Sequence, residues 1–111
     1  MPVDIEFADN SCRKLCEQAK HAQKKLGPDC AKKLRTPLAD LAAAASVAEL
    51  VAGDPHPLKG DRDGQFSVSL AGGVRLVFEP NHDPIPRLDA GGVNWRLVTK
   101  VTIVFIGDYH D

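Results

Sequence analysis

The hydrophobic pattern of this chain changes its period at Asp54-Pro55-His56-Pro57, and that change restricts the fold more than any other feature. Over residues 10–51, apolar side chains recur at steps of three and four, which is the period of a helix buried on one face. Over residues 65–79, apolar and polar residues alternate, which is the period of a strand. A residue before a proline is pushed toward extended backbone, so the boundary segment is not helical. The sequence therefore predicts an α+β fold.

Residues 10–51 are predicted to form a helical hairpin. A residue of the run Asp9-Asn10-Ser11 can cap the first helix, because short polar side chains accept hydrogen bonds from its free amides. Gly27-Pro28 separates the two helices, since glycine favours the end of a helix and proline suits the first turn of the next one. Pro37 lies inside the second helix and is expected to kink or split it.

The predicted strands lie on both sides of that hairpin. Alternation over Val3–Phe7 indicates a first strand. Alternation over residues 65–79, with the turn signal Gly72-Gly73, indicates a β-hairpin. Residues 80–98 contain three prolines and form a loop excursion, and residues 97–106 are rich in Val, Ile and Thr and form a last, central strand. The helices are expected to pack on one face of a mostly antiparallel sheet.

Length and composition place the protein in a broad class. The 111 residues suffice for one domain, and 43% hydrophobic with 26% charged residues is ordinary globular composition. No apolar run is long enough for a membrane span, and the N-terminus does not resemble a signal peptide. The odd number of cysteines, three, favours reduced thiols and a cytoplasmic location. The net charge is −1, although residues 1–35 carry eight Lys/Arg against five Asp/Glu.

Polar residues concentrate at two places. One block runs from His56 to Gly64, just before the predicted hairpin, and the other is Asp108-Tyr109-His110, just after the last strand. Arg75 lies on the second strand of the hairpin. If the last strand pairs beside the hairpin, these groups can converge on one face of the sheet.

Three stretches of this sequence resemble the HigB-type killer proteins of plasmid maintenance, a branch of the RelE/ParE toxin superfamily. They are the block His56-Pro-Leu-Lys-Gly-Asp-Arg-Asp-Gly with the following Phe66-Ser67-Val68, the run Arg75-Leu76-Val77-Phe78, and the closing Asp108-Tyr109-His110. The resemblance covers the chain except residues 80–98. It implies a single RelE/ParE-like toxin domain over residues 1–111, with an N-terminal strand and a helical hairpin packed on a mostly antiparallel sheet.

The resemblance implies the toxin of a type II toxin–antitoxin system, an endoribonuclease that cuts mRNA, usually on the ribosome, and needs no metal or other cofactor. A ribose 2′-OH would attack the adjacent phosphate and leave a 2′,3′-cyclic phosphate. The implied partners are mRNA, the ribosome and a cognate helix-turn-helix antitoxin of the HigA type. Promoter DNA would be bound only through the toxin–antitoxin complex.

Residue by residue, the resemblance assigns catalysis to two histidines and two cations. His56 and His110 would act as general base and general acid, in an order that the sequence leaves open, because the pKa of histidine lies near working pH. Lys59 and Arg75 would stabilise charge developing on the phosphate.

The family pattern also gives substrate-binding positions, and this chain departs from the pattern in places. Arg62, Asp108 and Tyr109 would orient the RNA or the catalytic groups. Related toxins carry a further arginine and a polar residue in the hairpin turn, where this chain has Ala71-Gly72-Gly73. The excursion at 80–98 is an addition that could supply Arg87 and Arg96 in compensation, or cover the site.

Other readings of the same residues remain open. A ParE-like member would bind DNA gyrase without nuclease chemistry, and a degenerate member would keep the fold for partner binding or regulation. Cys12 and Cys16 share one helical face and could join His21 at a metal, but their spacing is more typical of two small buried side chains.

Overall fold

Five strands form one sheet in the computed structural model, which describes residues 3–108. In chain order they are β1 (Asp4–Phe7), β2 (His56–Pro57), β3 (Phe66–Ser69), β4 (Val74–Pro80) and β5 (Lys100–Asp108). Across the sheet they lie in the order β1-β5-β4-β3-β2. β1 runs parallel to β5, and every other neighbouring pair is antiparallel. This mostly antiparallel sheet with a central last strand confirms the predicted α+β class.

Two strand boundaries differ from the predictions. The hairpin predicted over residues 65–79 corresponds to β3 and β4, but its loop is Ala71–Gly73, three residues rather than two, closed by a hydrogen bond from the Leu70 amide to the Val74 carbonyl at 2.9 Å. The last strand begins at Lys100 rather than at 97, because a 3₁₀ turn at Trp95–Leu97 precedes it.

Three helices take the place of the predicted two-helix hairpin. They are α1 (Asn10–Glu17), α2 (Ala19–Leu26) and α3 (Pro28–Ala43). The Asp9 carboxylate caps α1 by accepting a hydrogen bond from the Cys12 amide at 2.9 Å. The chain leaves helical geometry at Gln18, with φ −117° and ψ 100°, although the helical period continues across this residue.

The second half of the helical region also differs from the prediction. α3 continues through Pro37, which is buried, so the proline does not split the helix. Beyond Ala43 the segment predicted to remain helical to residue 51 keeps only a 3₁₀ turn at Val47–Glu49.

The helices cover one face of the sheet and form the core with it. Leu34 and Leu41 of α3 are buried there together with Leu76, Phe78 and Ile103 of β4 and β5. The excursion after β4 belongs to the same core, because it contributes buried Val93 and Val98. Trp95 packs edge-on against Phe66 at 4.8 Å between ring centroids, while Phe66 stacks on Phe78 at 5.3 Å. The excursion therefore closes the end of the core.

We call the sheet face turned away from the helices the open face. A bulge in β5 determines which residues near the end of that strand point to it. Phe78 of β4 pairs with Ile103, but the next residue, Val77, pairs with Phe105, so Val104 is an extra residue in β5. Because side chains alternate along a strand, the extra residue reverses the faces that follow it. Phe105 therefore points to the open face, and Ile106 packs against the core.

Candidate functional site

One row of side chains crosses the open face from edge to centre. His56 on β2 pairs with Ser67 on β3, Ser67 pairs with Val77 on β4, and Val77 pairs with Phe105 on β5. Directly opposed residues of antiparallel strands share a face, so these four side chains form one line. The His56 side chain is 46% exposed at the edge of the sheet, and Ser67 and Val77 are fully buried beneath the face.

Arg75 lies in the neighbouring row. It pairs with Ser69 on one side and with Gly107 on the other. With about 4.8 Å between strands and about 6.6 Å between alternate residues, its Cα lies roughly 12 Å from that of His56. Both side chains are long enough to reach a group bound between them. Gly107 leaves Arg75 uncrowded, and a Cβ at Gly107 would lie 3.0 Å from the Phe105 ring.

Arg62 reaches across this face. It precedes β3 in the chain, yet its guanidinium carbon lies 4.9 Å from the ring centroid of Phe105 on β5. Its Nη1 also donates a hydrogen bond to Gln65 Oε1 at 3.3 Å. Because β4 lies between β3 and β5, the arginine side chain extends across β4 to reach this ring. A guanidinium on an aromatic face is held electrostatically as well as by packing.

Charge is divided along the open face. The cations Arg62 and Arg75 and the imidazole of His56 lie toward the hairpin turn. Beyond them, Glu79 accepts a hydrogen bond from Gln65 at 3.5 Å, and Glu6 accepts one from Asn81 at 3.3 Å. Arg62 and Arg75 therefore favour an anion near them over the end that carries Glu6 and Glu79, although the Asp54 carboxylate lies 3.9 Å from His56 Nδ1.

The remaining predicted site residues lie around this face. Lys59 is exposed just before the 3₁₀ turn Gly60–Arg62, beside a cleft of about 300 Å³ that Arg87 also lines. Asp108 pairs with Val74, which puts it on the face opposite to Arg75, and its carboxylate lies where a side chain at Gly73 would be. Tyr109 and His110 lie outside the described residues.

The cysteines do not form a thiolate site in the described chain. Burial and the Asp9 carboxylate raise the pKa of Cys12 to about 11, and burial raises the pKa of Cys16 to about 12. Without a bound metal, both thiols therefore stay protonated at neutral pH and are poor nucleophiles. Within residues 3–108, no three His, Cys, Asp or Glu side chains are grouped as metal ligands. None of the described helices is both long and apolar enough to cross a bilayer.

Three residues of the open face were not predicted as site residues. Ser67 lies on the polar side of the alternation in β3, and its register with His56 appears only once β2 pairs with β3. Phe105 reaches the face through the bulge. Asp54 contacts His56 directly, because its carbonyl oxygen accepts a hydrogen bond from Nδ1 at 2.8 Å.

The buried Ser67 hydroxyl offers a test of this geometry. Among residues 3–108 its Oγ is a fully buried side-chain oxygen without a hydrogen-bond partner. A buried unsatisfied polar group is destabilising, so we expect Ser67→Ala to raise the free energy of unfolding by about 1 kcal/mol. Urea denaturation measures the change. A loss of stability would instead show that the hydroxyl has a partner in solution.

Solved structures of YoeB toxins have the same fold as this chain. The chain superposes on the YoeB/ParE toxin from Agrobacterium tumefaciens with a TM-score of 0.62 and 12% identity over 97% of this chain and 100% of that one. The YoeB dimer from Staphylococcus aureus gives 0.60 and 17%, and the YoeB-YefM complex from the same organism gives 0.58 and 17%, with both chains fully covered in each case. No family model and no curated protein sequence matches the chain. At these identities the comparison establishes architecture: the chain has the fold of the YoeB/ParE toxins.

Proposed function

We propose that this chain is the toxin of a type II toxin–antitoxin pair and that it cleaves mRNA on the ribosome without a metal. The observation that carries the proposal is that His56, Arg62 and Arg75 all lie on the open face, within a fold shared with toxins. A proton-transfer group beside two fixed cations is the combination that phosphoryl transfer to a ribose 2′-oxygen requires. The HigB-like branch within the superfamily is part of the proposal.

The proposed roles follow from position. Arg75 extends from the sheet floor and stabilises the negative charge that develops on the phosphate oxygens. Arg62 lies over Phe105 and holds the RNA backbone or a base at the centre of the face. Lys59, at the rim, guides the RNA toward the site. The resemblance, rather than position, assigns His110 to share the base and acid roles with His56 and Tyr109 to contact the RNA.

Asp108 has a more indirect role in this proposal. Its carboxylate packs against Gly73 on the face away from Arg75, so it supports the hairpin turn and the end of β5 rather than the phosphate. Glycine at position 73 leaves room for that carboxylate, which offers a structural reason for a turn without an arginine.

The proposed partner is a cognate antitoxin with a helix-turn-helix domain, through which the complex binds its promoter. YoeB of S. aureus is found in a heterotetrameric complex with YefM, described as a toxin-antitoxin complex. An antitoxin that covers the hairpin end of the open face would block both arginines and His56.

Cleavage of mRNA on purified ribosomes tests the proposal. Arg75→Ala should lower the cleavage rate about 10²- to 10³-fold, which is the usual effect of removing one preorganised donor to a developing oxyanion. Arg35→Ala is the matched control, because Arg35 is exposed on α3 in the helical layer and its loss changes the net charge equally. Equal activity of the two variants would contradict the proposed site.

A second candidate function has support from composition. The net charge of −1 and the turn Ala71-Gly72-Gly73 without an arginine suit a non-catalytic member that binds a partner. Such a protein would cut no mRNA and cause no growth arrest when expressed. A gyrase-binding toxin would arrest growth with DNA damage, and the arrest would survive Arg75→Ala.

A further inference from the structure

The backbone just before His56 is held in a conformation that ordinary residues avoid. Gly53 has φ +85° and Asp54 has φ +50°. Gly53 is pressed against β3, because a Cβ there would lie 2.5 Å from Val68 Cγ1, and its carbonyl accepts a hydrogen bond from the Ser69 amide. Asp54 has no such need for close approach, and its left-handed geometry costs about 1 kcal/mol. Backbone strain of this kind persists where surrounding contacts hold the residue in place, and strained residues cluster at functional sites.

The strained residue contacts the imidazole of His56 with two oxygens. The Asp54 carbonyl oxygen lies 2.8 Å from Nδ1, and the carboxylate Oδ2 lies 3.9 Å from the same nitrogen. A carbonyl oxygen can only accept a hydrogen bond, so Nδ1 must carry the proton. In the neutral ring the other nitrogen, Nε2, then holds a free lone pair. A neutral histidine in water prefers the opposite arrangement, with the proton on Nε2.

We propose that Asp54 is a positioning residue that fixes His56 as the Nδ1–H tautomer and thereby makes it the general base of the reaction. This inference rests on the proposed ribonuclease function for its catalytic part. Nε2 of His56 takes the proton from the 2′-OH as the 2′-oxygen bonds to phosphorus. The bond from phosphorus to the 5′-oxygen breaks, and that oxygen takes a proton from the general acid.

The carbonyl, rather than the carboxylate, carries most of this effect. The Asp54 side chain is 86% exposed, and an ion pair in water contributes little. Substitutions at position 54 should therefore be chosen for their effect on the backbone dihedral angle φ rather than for their charge. Glycine and asparagine adopt φ near +50° readily, whereas a β-branched residue resists it.

The experiment compares four proteins, namely wild type, Asp54→Gly, Asp54→Asn and Asp54→Val. Nitrogen-15 chemical shifts of the imidazole, assigned with His56→Gln, report which nitrogen is protonated in the neutral ring. Wild type and the Gly and Asn variants should show Nδ1–H and cleave mRNA within about threefold of one another. Asp54→Val should lose the Nδ1–H signature and about 10- to 100-fold in kcat, with little change in KM, because the base is misplaced while the RNA still binds.

The two readouts separate the two ideas. A wild-type ring that is protonated on Nε2 overturns the positioning role, whether or not mRNA is cleaved. A wild-type ring with Nδ1–H in a protein that cleaves no mRNA overturns the proposed function, and the catalytic role of Asp54 with it. Asp54→Val that keeps full cleavage overturns the inference even if the ribonuclease function stands.

Discussion

His56→Gln should lower mRNA cleavage by about 10²- to 10⁴-fold without changing the fold, which is the range that general acid–base catalysis usually contributes. Glutamine is polar and of similar size, but it cannot take up a proton. The edge strand β2 should therefore stay paired with β3. Single-turnover cleavage on purified ribosomes measures the rate, and circular dichroism checks the fold.

His21→Gln is the control for that experiment. His21 lies on α2, in the helical layer on the other side of the sheet, so its loss removes one imidazole far from the open face. It should leave cleavage within about twofold of wild type. If His56→Gln keeps more than a tenth of the wild-type rate, His56 is not the base, and the proposed site is wrong at its central residue.

Phe78→Ala should destabilise the protein by about 3–5 kcal/mol. Phe78 is fully buried, stacks on Phe66 at 5.3 Å and meets the edge of Trp95 at 6.4 Å between centroids. Its removal leaves a cavity where the sheet, the helices and the excursion meet. Because a domain of this size is stable by about 5–15 kcal/mol, the variant should unfold at much lower urea concentration, as followed by Trp95 fluorescence.

Val51→Ala is the matched control for the core. Val51 is 85% exposed, and its truncation should change the free energy of unfolding by no more than about 0.5 kcal/mol. A loss below about 1.5 kcal/mol in Phe78→Ala would mean that the aromatic cluster is not packed as the structure has it.

Sequence patterns predicted the features that depend on neighbouring residues. A cap within the run Asp9-Asn10-Ser11, the start of α3 at Pro28 and the hairpin around Gly72 follow from local hydrogen bonding and backbone preferences. The α+β class follows from the change of period at Asp54. Each of these signals lies within a few residues of the structure that it specifies, so one sequence is enough to read it.

Features that depend on distant contacts were missed. The helical period continues across Gln18, so nothing local marks the break between α1 and α2. Phe105 faces the site only because Val104 is inserted in the register with β4, and a bulge of this kind changes the face without changing the composition. The placement of Ser67 beside His56 likewise requires the pairing of a two-residue strand that its prolines concealed.

The residues of the proposed site also divide into those that the sequence indicated and those that only the structure revealed. The resemblance selected His56, Arg62 and Arg75, and strand register and one ring contact put all three on the open face, while their roles there stay a prediction. Neither pattern nor resemblance indicated Asp54, because a left-handed aspartate is recognised by its dihedral angle rather than by its neighbours in sequence. The positions of Tyr109 and His110 relative to these groups remain a prediction.

The parallel pairing of β1 with β5 bears on how the protein assembles. Asp4 lies opposite Lys100, and Phe7 lies opposite Ile103. The first strand therefore pairs with a strand that lies almost a hundred residues later in the chain. Closing so long a loop costs entropy before any contact compensates it, which slows the search for the native topology. The central strand β5 also supplies Phe105 beneath Arg62. Until β5 has been made, the chain therefore lacks both the partner strand of β1 and the aromatic ring on which the Arg62 guanidinium packs.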